Sequence, residues 1–239
     1  MRIVRDNYWH LSIDVHRDRS GVGKSLGREL VEMVAFSLFL YFIVRAAIPS
    51  FWVEGESMLP TLYSQERVLV NKALYFRYDA NFLAHITGPS APPDMRYIFH
   101  GPQRGDIVVF EAPPEAQVDS SDFIKRVIAV AGETVEIKAD TDYIGNPNRD
   151  CGRCGVYVNG VKLHEPYIKQ TPDYNMPPTV VPPGHIFVLG DNRRNSSDSH
   201  IWGPLAEDRI VGTAFVSFWP SEHFGLLPHP TYAEIEKQK

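Results

Sequence analysis

An apolar run near the N-terminus constrains this chain most. Residues 29–52 read ELVEMVAFSLFLYFIVRAAIPSFW, and the uncharged centre, Met33 to Val44, is 12 residues long. That centre alone is short for a bilayer and suits a buried helix or the core of a cleavable leader. Glu32 and Arg45 stand near its ends, however, where long side chains snorkel toward water. Leu30 to Ile48 then counts 19 residues, roughly 28 Å of helix at 1.5 Å per residue and about one hydrocarbon core. Phe51 and Trp52 follow at the interfacial level. A removable leader fits poorly, because the charged segment before the run is long and no small-x-small site follows directly. The expectation is an uncleaved, single-pass anchor at 29–50.

Charge orients the anchor. Residues 1–28 hold six Lys/Arg against three Asp, whereas 46–239 hold 17 Lys/Arg against 24 Asp/Glu. Positive charge stays on the cytoplasmic side, so 1–28 reads as a cytoplasmic leader and 51–239 as an extracytoplasmic domain. The net charge of −5 argues against nucleic acid, which calls for a basic footprint. GVGKS at 21–25 ends like a phosphate loop, but Asp18 stands where its first glycine belongs and no strand precedes it. Cys151 and Cys154 are too few for a four-ligand zinc site. They read as a turn disulfide or as two free thiols.

After Pro49 the signals are those of strands. RVLVNKALY (67–75), GDIVVFEAP (105–113), FIKRVIAVAGETVEI (123–137), VYVNGVKL (156–163), HIFVLG (185–190) and RIVGTAFVSFW (209–219) are rich in β-branched and aromatic residues. VNGV is a two-residue hairpin signal. No long helical period appears, so 51–239 is expected to be mainly β with short helices at best. Loop insertions are expected near 77–103, where Phe82, Leu83 and Ile86 stand out, and near 138–183, where 166–183 is Pro-rich. Nothing suggests an obligate oligomer, and a monomer is expected.

DFIKRVIAVAG (122–132) poses a problem, because Lys125 and Arg126 are adjacent within a strand. Phe123, Lys125, Val127 and Ala129 share one face; Ile124, Arg126, Ile128 and Val130 share the other. One cation must point toward the more buried side, where an ammonium costs several kcal/mol unless it is paired or loses its proton. A serine in a Gly/Pro turn, VEGESMLPTL (53–62), and a polar motif, LGDNRRNSSDSHIWGPL (189–205), complete the candidate chemistry. Each alone reads first as structure: a turn, and a solvated loop capping backbone groups. A serine nucleophile needs a base, and His200 in the polar motif is one candidate.

GESMLPTL, RGDIVVFEAP with FIKRVIAVAGE, and GDNRRNSSDSHIWGPL together resemble, in order and spacing, the sequence boxes of type I signal peptidases, as does the anchor before them. The resemblance covers most of 30–220. It implies a signal-peptidase-type β-rich catalytic domain that removes signal peptides from exported preproteins after an A-x-A-type site, at the cell (inner) membrane and in contact with the bilayer. It implies Ser57 as nucleophile, Lys125 as general base, Ser196 as a hydroxyl that orients the lysine, and Asp198 as a supporting carboxylate. Phe51, Val53, Met58, Leu62, Val68, Val109, Phe123 and Ile124 would line its small apolar subsites. No metal and no cofactor are called for. The sequence departs from the pattern at Gly55, where some members add an oxyanion hydroxyl, and at His200, where many carry Arg; the latter puts an ion pair with Asp198 in doubt.

The physics of lysine fits this reading. At an ordinary pKa near 10.4 only about one in a few thousand lysines is neutral at pH 7. Burial against Phe123 and Val127 would bring Lys125 to roughly 7–8 and make it a usable base. Lys125 is therefore expected unpaired on the core side, with Arg126 facing outward or paired with a carboxylate such as Asp198. Two alternatives stay open: a non-catalytic anchored β-rich interaction protein, and a Ser–His hydrolase using His200.

Overall fold

The computed structural model describes residues 19–82, 94–116, 122–139, 154–230 and 232, with side chains from residue 26 onward. The chain divides into two compact units, Met1–Val44 and Arg45–Lys239. Helix α1 (Arg19–Ala47), most of which belongs to the first, is long and apolar enough over Leu26–Ala47 to cross a membrane. Phe36, Phe39 and Phe42 are exposed on it. Arg28 and Glu32, one turn apart, pair at 2.7 Å. The helix stops where Ile48 precedes Pro49, a position that disfavours helical backbone. Arg45 in its last turn opposes the helix dipole.

The second unit is mainly β, as the alternation along the chain predicts. Its strands are β1 (Ser50–Trp52), β2 (Arg67–Asn71), β3 (Arg77–Asp79), β4 (Met95–Tyr97), β5 (Ile107–Glu111), β6 (Asp122–Val130) and β7 (Thr134–Ala139). There follow β8 (Cys154–Val158), β9 (Val161–Lys162), β10 (Met176–Val180), β11 (His185–Leu189), the one-turn helix α2 (Ser199–Trp202), β12 (Leu205–Ala206), β13 (Ile210–Trp219) and β14 (Gly225–Leu226). An eight-stranded antiparallel sheet runs β1-β2-β13-β5-β6-β11-β12, with β14 on β13. A second sheet runs β10-β7-β8-β9, and β3 with β4 forms a separate hairpin.

Two segments expected to be loops contain strands. Residues 77–103 hold the β3–β4 hairpin, with Phe82 exposed beyond it; Leu83 and Ile86 lie outside the described residues. Residues 138–183 hold β8 and β9, which the VYVNGVKL pattern had marked as strand, and β10, which was not foreseen. Pro177 and Pro178 hid β10, because proline cannot donate to a ladder. Among the described residues β10 is an edge strand paired with β7, with a register shift between Met176 and Thr179 that takes up the two prolines. VNGV makes the expected turn between β8 and β9, with Asn159 and Gly160 at φ 52° and 81°. Cys154 is buried and disulfide-bonded, and Cys151 lies outside the described residues.

Three apolar clusters cover both faces of the central strands. Phe123 and Val127 of β6 pack with Val108, Phe110 and Val188. Ile124 packs with Val53, Met58, Leu62, Val68 and Val109. Ile128 packs with Phe187 and with Ile137 and Val156 of the second sheet. Strand β6 therefore has no solvent face in its middle. Lys125 is 4% exposed and Arg126 0%, so both cations are buried, where the sequence reading expected one. Phe187, fully buried on β11, joins the two sheets. Truncating it to Ala is expected to cost about 3–5 kcal/mol, read as a lower midpoint of urea unfolding. An unchanged midpoint would mean that the second sheet does not lean on β11.

Candidate active site

Ser57 lies on the turn after β1. Val53 N–H donates to Glu66 O at 2.8 Å, Gln65 N–H to Val53 O at 2.8 Å, and Leu62 N–H to Met58 O at 2.9 Å. Met58 and Leu62 are buried beneath the turn and pin it to the core. Gly55 sits at φ 88°, a left-handed conformation that a side chain would strain. Lys125 comes from β6, 68 residues away, and its Nζ stands 2.8 Å from Ser57 Oγ. It also donates to Ile124 O at 2.9 Å and lies 5.0 Å from the centre of the Phe123 ring. Among the described residues it makes no ion pair. Burial lowers its pKa from 10.5 to about 8, against the upward pull of Asp198 and Asp191.

Arg126 points the other way and is held as a permanent cation. Its Nε and Nη2 each donate to Asp191 at 2.8 Å, and Nη1 donates to Gly105 O and Pro228 O at 2.9 Å. The expected partner was Asp198 or solvent. Both carboxylates are buried, but Asp198 is engaged elsewhere, accepting from Gly190 N at 2.8 Å and from His200 N at 3.2 Å, and lying 2.6 Å from His200 Nδ1. His200 therefore contacts Asp198, and the contact is an ion pair only when the ring is protonated. His200 also stacks on Tyr174 at 4.0 Å. It is committed to Asp198 and Tyr174, and the amine beside Ser57 Oγ is that of Lys125, so the geometry does not favour a Ser–His hydrolase.

Ser196 is brought to the site without the bond expected of it. Its Oγ is buried and has no hydrogen-bond partner among the described residues. The atoms that fix Lys125 Nζ here are Ser57 Oγ and Ile124 O. Gly190 makes the approach possible, since a Cβ there would collide with Ser196 Oγ and the Ser57 carbonyl oxygen.

A cleft of about 420 Å³ opens beside Ser57 and Lys125. Phe51, Val53, Val68, Val109, Phe123 and Ile124, six of the eight residues assigned to the subsites, line it. Met58 and Leu62 do not; they are core residues below it. Trp52, Glu54, Asp122 and Ser197 line it unforeseen. Their neighbours in sequence were named, but which residue of an edge strand or loop faces a cleft depends on packing that a lone sequence does not state. Asp191, Asn192 and Thr61 were also missed as site residues. Thr61 Oγ1 donates to Asp191 Oδ2 at 2.5 Å, tying the serine turn to the Arg126 pair. Replacing Gly190 by Ala is expected to lower activity at least tenfold by pushing Ser196 and the Ser57 backbone apart. Activity within twofold of wild type would show that the contact is soft.

Comparison with known proteins agrees with this geometry. Residues 27–219 match the family model described as signal peptidase, peptidase S26. The chain is 38% identical over 204 residues to a probable signal peptidase I-1 of Synechocystis sp., covering 84% of this chain and 85% of that one. It is 36% identical over 211 residues to a signal peptidase I of Leptolyngbya laminosa, covering 85% and 86%. It is 31% identical over 219 residues to signal peptidase IB of Staphylococcus aureus, covering 84% and 93%. With the match spanning the apolar helix, the serine turn, β6 and the polar loop together, the chain belongs to the signal peptidase family of peptidase S26.

Proposed function

We propose that the chain is a membrane-anchored serine endopeptidase that removes signal peptides from exported preproteins after an A-x-A-type site. The observation that carries this reading is Lys125 Nζ at 2.8 Å from Ser57 Oγ, buried and, among the described residues, with no carboxylate partner. With a pKa near 8, roughly a tenth of the lysine is neutral at pH 7, enough for a general base. Ser57 Oγ attacks the scissile carbonyl while its proton passes to Lys125. The ammonium then protonates the departing amine, leaving an acyl-enzyme, and Lys125 activates the water that hydrolyses it. The Ser57 N–H supports the oxyanion. Asp198 holds the polar loop, and Ser196, its hydroxyl free, orients the lysine as the nucleophile moves. Phe51, Val53, Val68, Val109, Phe123 and Ile124 form the walls that admit small residues.

In this reading 1–28 lies in the cytoplasm, 29–50 is the single anchor, and 51–239 is extracytoplasmic. The protein works as a monomer at the bilayer, where preproteins emerge. The test is cleavage of an A-x-A preprotein by the detergent-solubilised full chain, with product mass read. Wild type should cleave after the alanine, while Ser57→Ala and Lys125→Met should fall by at least a thousandfold. Equal cleavage by Lys125→Met would remove the lysine from the mechanism. The rate should rise with pH through about 8, because only the neutral amine accepts a proton. Asp198 raises that pKa, so Asp198→Asn should move the rising limb to lower pH. A limb that stays in place would show that the carboxylate does not act on Lys125 through charge.

A further inference from the structure

We infer that Asn192 is a positioning residue for the oxyanion donor, an inference that rests on the proposed Ser57 chemistry. Asn192 N–H donates to Ser57 O at 2.9 Å, and its Nδ2 donates to Glu56 O at 3.0 Å. A carbonyl oxygen only accepts, so the side-chain amide must present its NH2 group to Glu56. One residue thus grips the carbonyls of both peptide groups flanking the Ser57 Cα.

The Glu56 carbonyl and the Ser57 N–H belong to the same planar peptide group. Fixing the carbonyl therefore aims the N–H on its opposite side. A donor on the carbonyl also polarises the group and strengthens the N–H as a donor. Among the described residues no backbone carbonyl accepts the Ser57 N–H, which leaves it for a reacting oxygen. A second donor to Glu56 O, Leu59 N–H, is longer at 3.2 Å. Residue 55 is glycine, so no side-chain hydroxyl stands two residues before the nucleophile, and the aim of the backbone donor matters correspondingly more.

The neighbours of Asn192 make it a rigid support. Asp191 before it is fully buried and held by Arg126 and Thr61. Arg193 after it is buried and paired with Glu165, with Nη1 at 2.8 Å and Nη2 at 2.5 Å from the carboxylate. Asn195 N–H closes the turn onto Asn192 O at 3.0 Å. A residue of middling exposure is thus clamped between two buried ion pairs, with its amide directed at the nucleophile turn.

The test uses the full chain in detergent with wild type, Asn192→Ala and Asn192→Asp. Asn192→Ala is expected to lower kcat about tenfold, less than the loss of a direct oxyanion donor, with KM within about twofold. Asn192→Asp, of equal size but setting an acceptor against Glu56 O, should lose more. In Asn192→Ala, which adds no charge, the pH limb near 8 set by Lys125 should not move. A peptide aldehyde ending in A-x-A supplies an independent reading. Ser57 Oγ adds to its carbonyl carbon, the serine proton passes to Lys125, and the carbonyl oxygen becomes the oxyanion. Its affinity should fall about tenfold in Asn192→Ala, while the carboxylate product peptide binds unchanged. Unchanged kcat, a rise in KM alone, or equal losses for aldehyde and product would overturn the inference, as would a loss of kcat matched by the inactive fraction in thermal melts. Failure of wild type to cleave the preprotein would instead overturn the signal-peptidase reading, and aldehyde affinity would still report on the Ser57 N–H.

Discussion

The cost of holding a lysine amine out of water, with no carboxylate against it among the described residues, is the constraint on which the site depends. Two opposing forces act on Lys125. Burial disfavours the ammonium, while Asp198 and Asp191 favour it, and burial is the larger. Had either carboxylate moved into contact, the balance would reverse, because an opposite charge within about 4–6 Å raises the proton affinity of an amine. The fold prevents that contact by giving each aspartate another partner: Arg126 for Asp191 and His200 for Asp198.

Lys125 and Arg126 show why adjacent cations of one strand are not interchangeable. Arginine cannot deprotonate, so a buried guanidinium needs a fork-shaped acceptor. Asp191 supplies one, and Gly105 O, Pro228 O and the Tyr167 ring, 4.1 Å away, complete the surroundings. Breaking such a pair costs about 3–5 kcal/mol. The pair therefore fixes β6 to the polar loop, and Thr61 extends the tie to the serine turn. The charged residue next to the base holds three segments together and leaves the base free to lose its proton.

Much of this was legible in the sequence, for local reasons. The alternation along 122–132 separated the two cations onto opposite faces, and the Gly/Pro context of Ser57 marked an exposed turn. The residues missed were those whose role is fixed by distant partners. Asp191 meets Arg126 across 65 residues, and Asn192 meets Glu56 across 136. Read in sequence, both look like members of a solvated polar loop. The β10 edge strand was hidden by its own prolines. The expectation that one face of β6 is more buried failed because three clusters meet around it, and strand periodicity carries no information about how many layers cover a strand.

The polar loop at 190–200 performs two tasks that pull in different directions. It must bring negative charge near Lys125, since Asp191 and Asp198 anchor the loop to β6 and to α2. It must also keep that charge from fixing the lysine's proton. Distance alone would not suffice in a dry interior, where Coulomb terms fall slowly. Hydrogen bonding resolves the conflict: the bidentate guanidinium takes up both oxygens of Asp191, and Gly190 N–H, His200 N–H and the His200 ring take up those of Asp198. Each lone pair bound in this way is one that does not turn toward the amine. The same loop has donors to spare for the serine turn, through Asn192. Carboxylates hydrogen-bonded in place and donors aimed outward are what allow one short loop to brace both the base and the nucleophile.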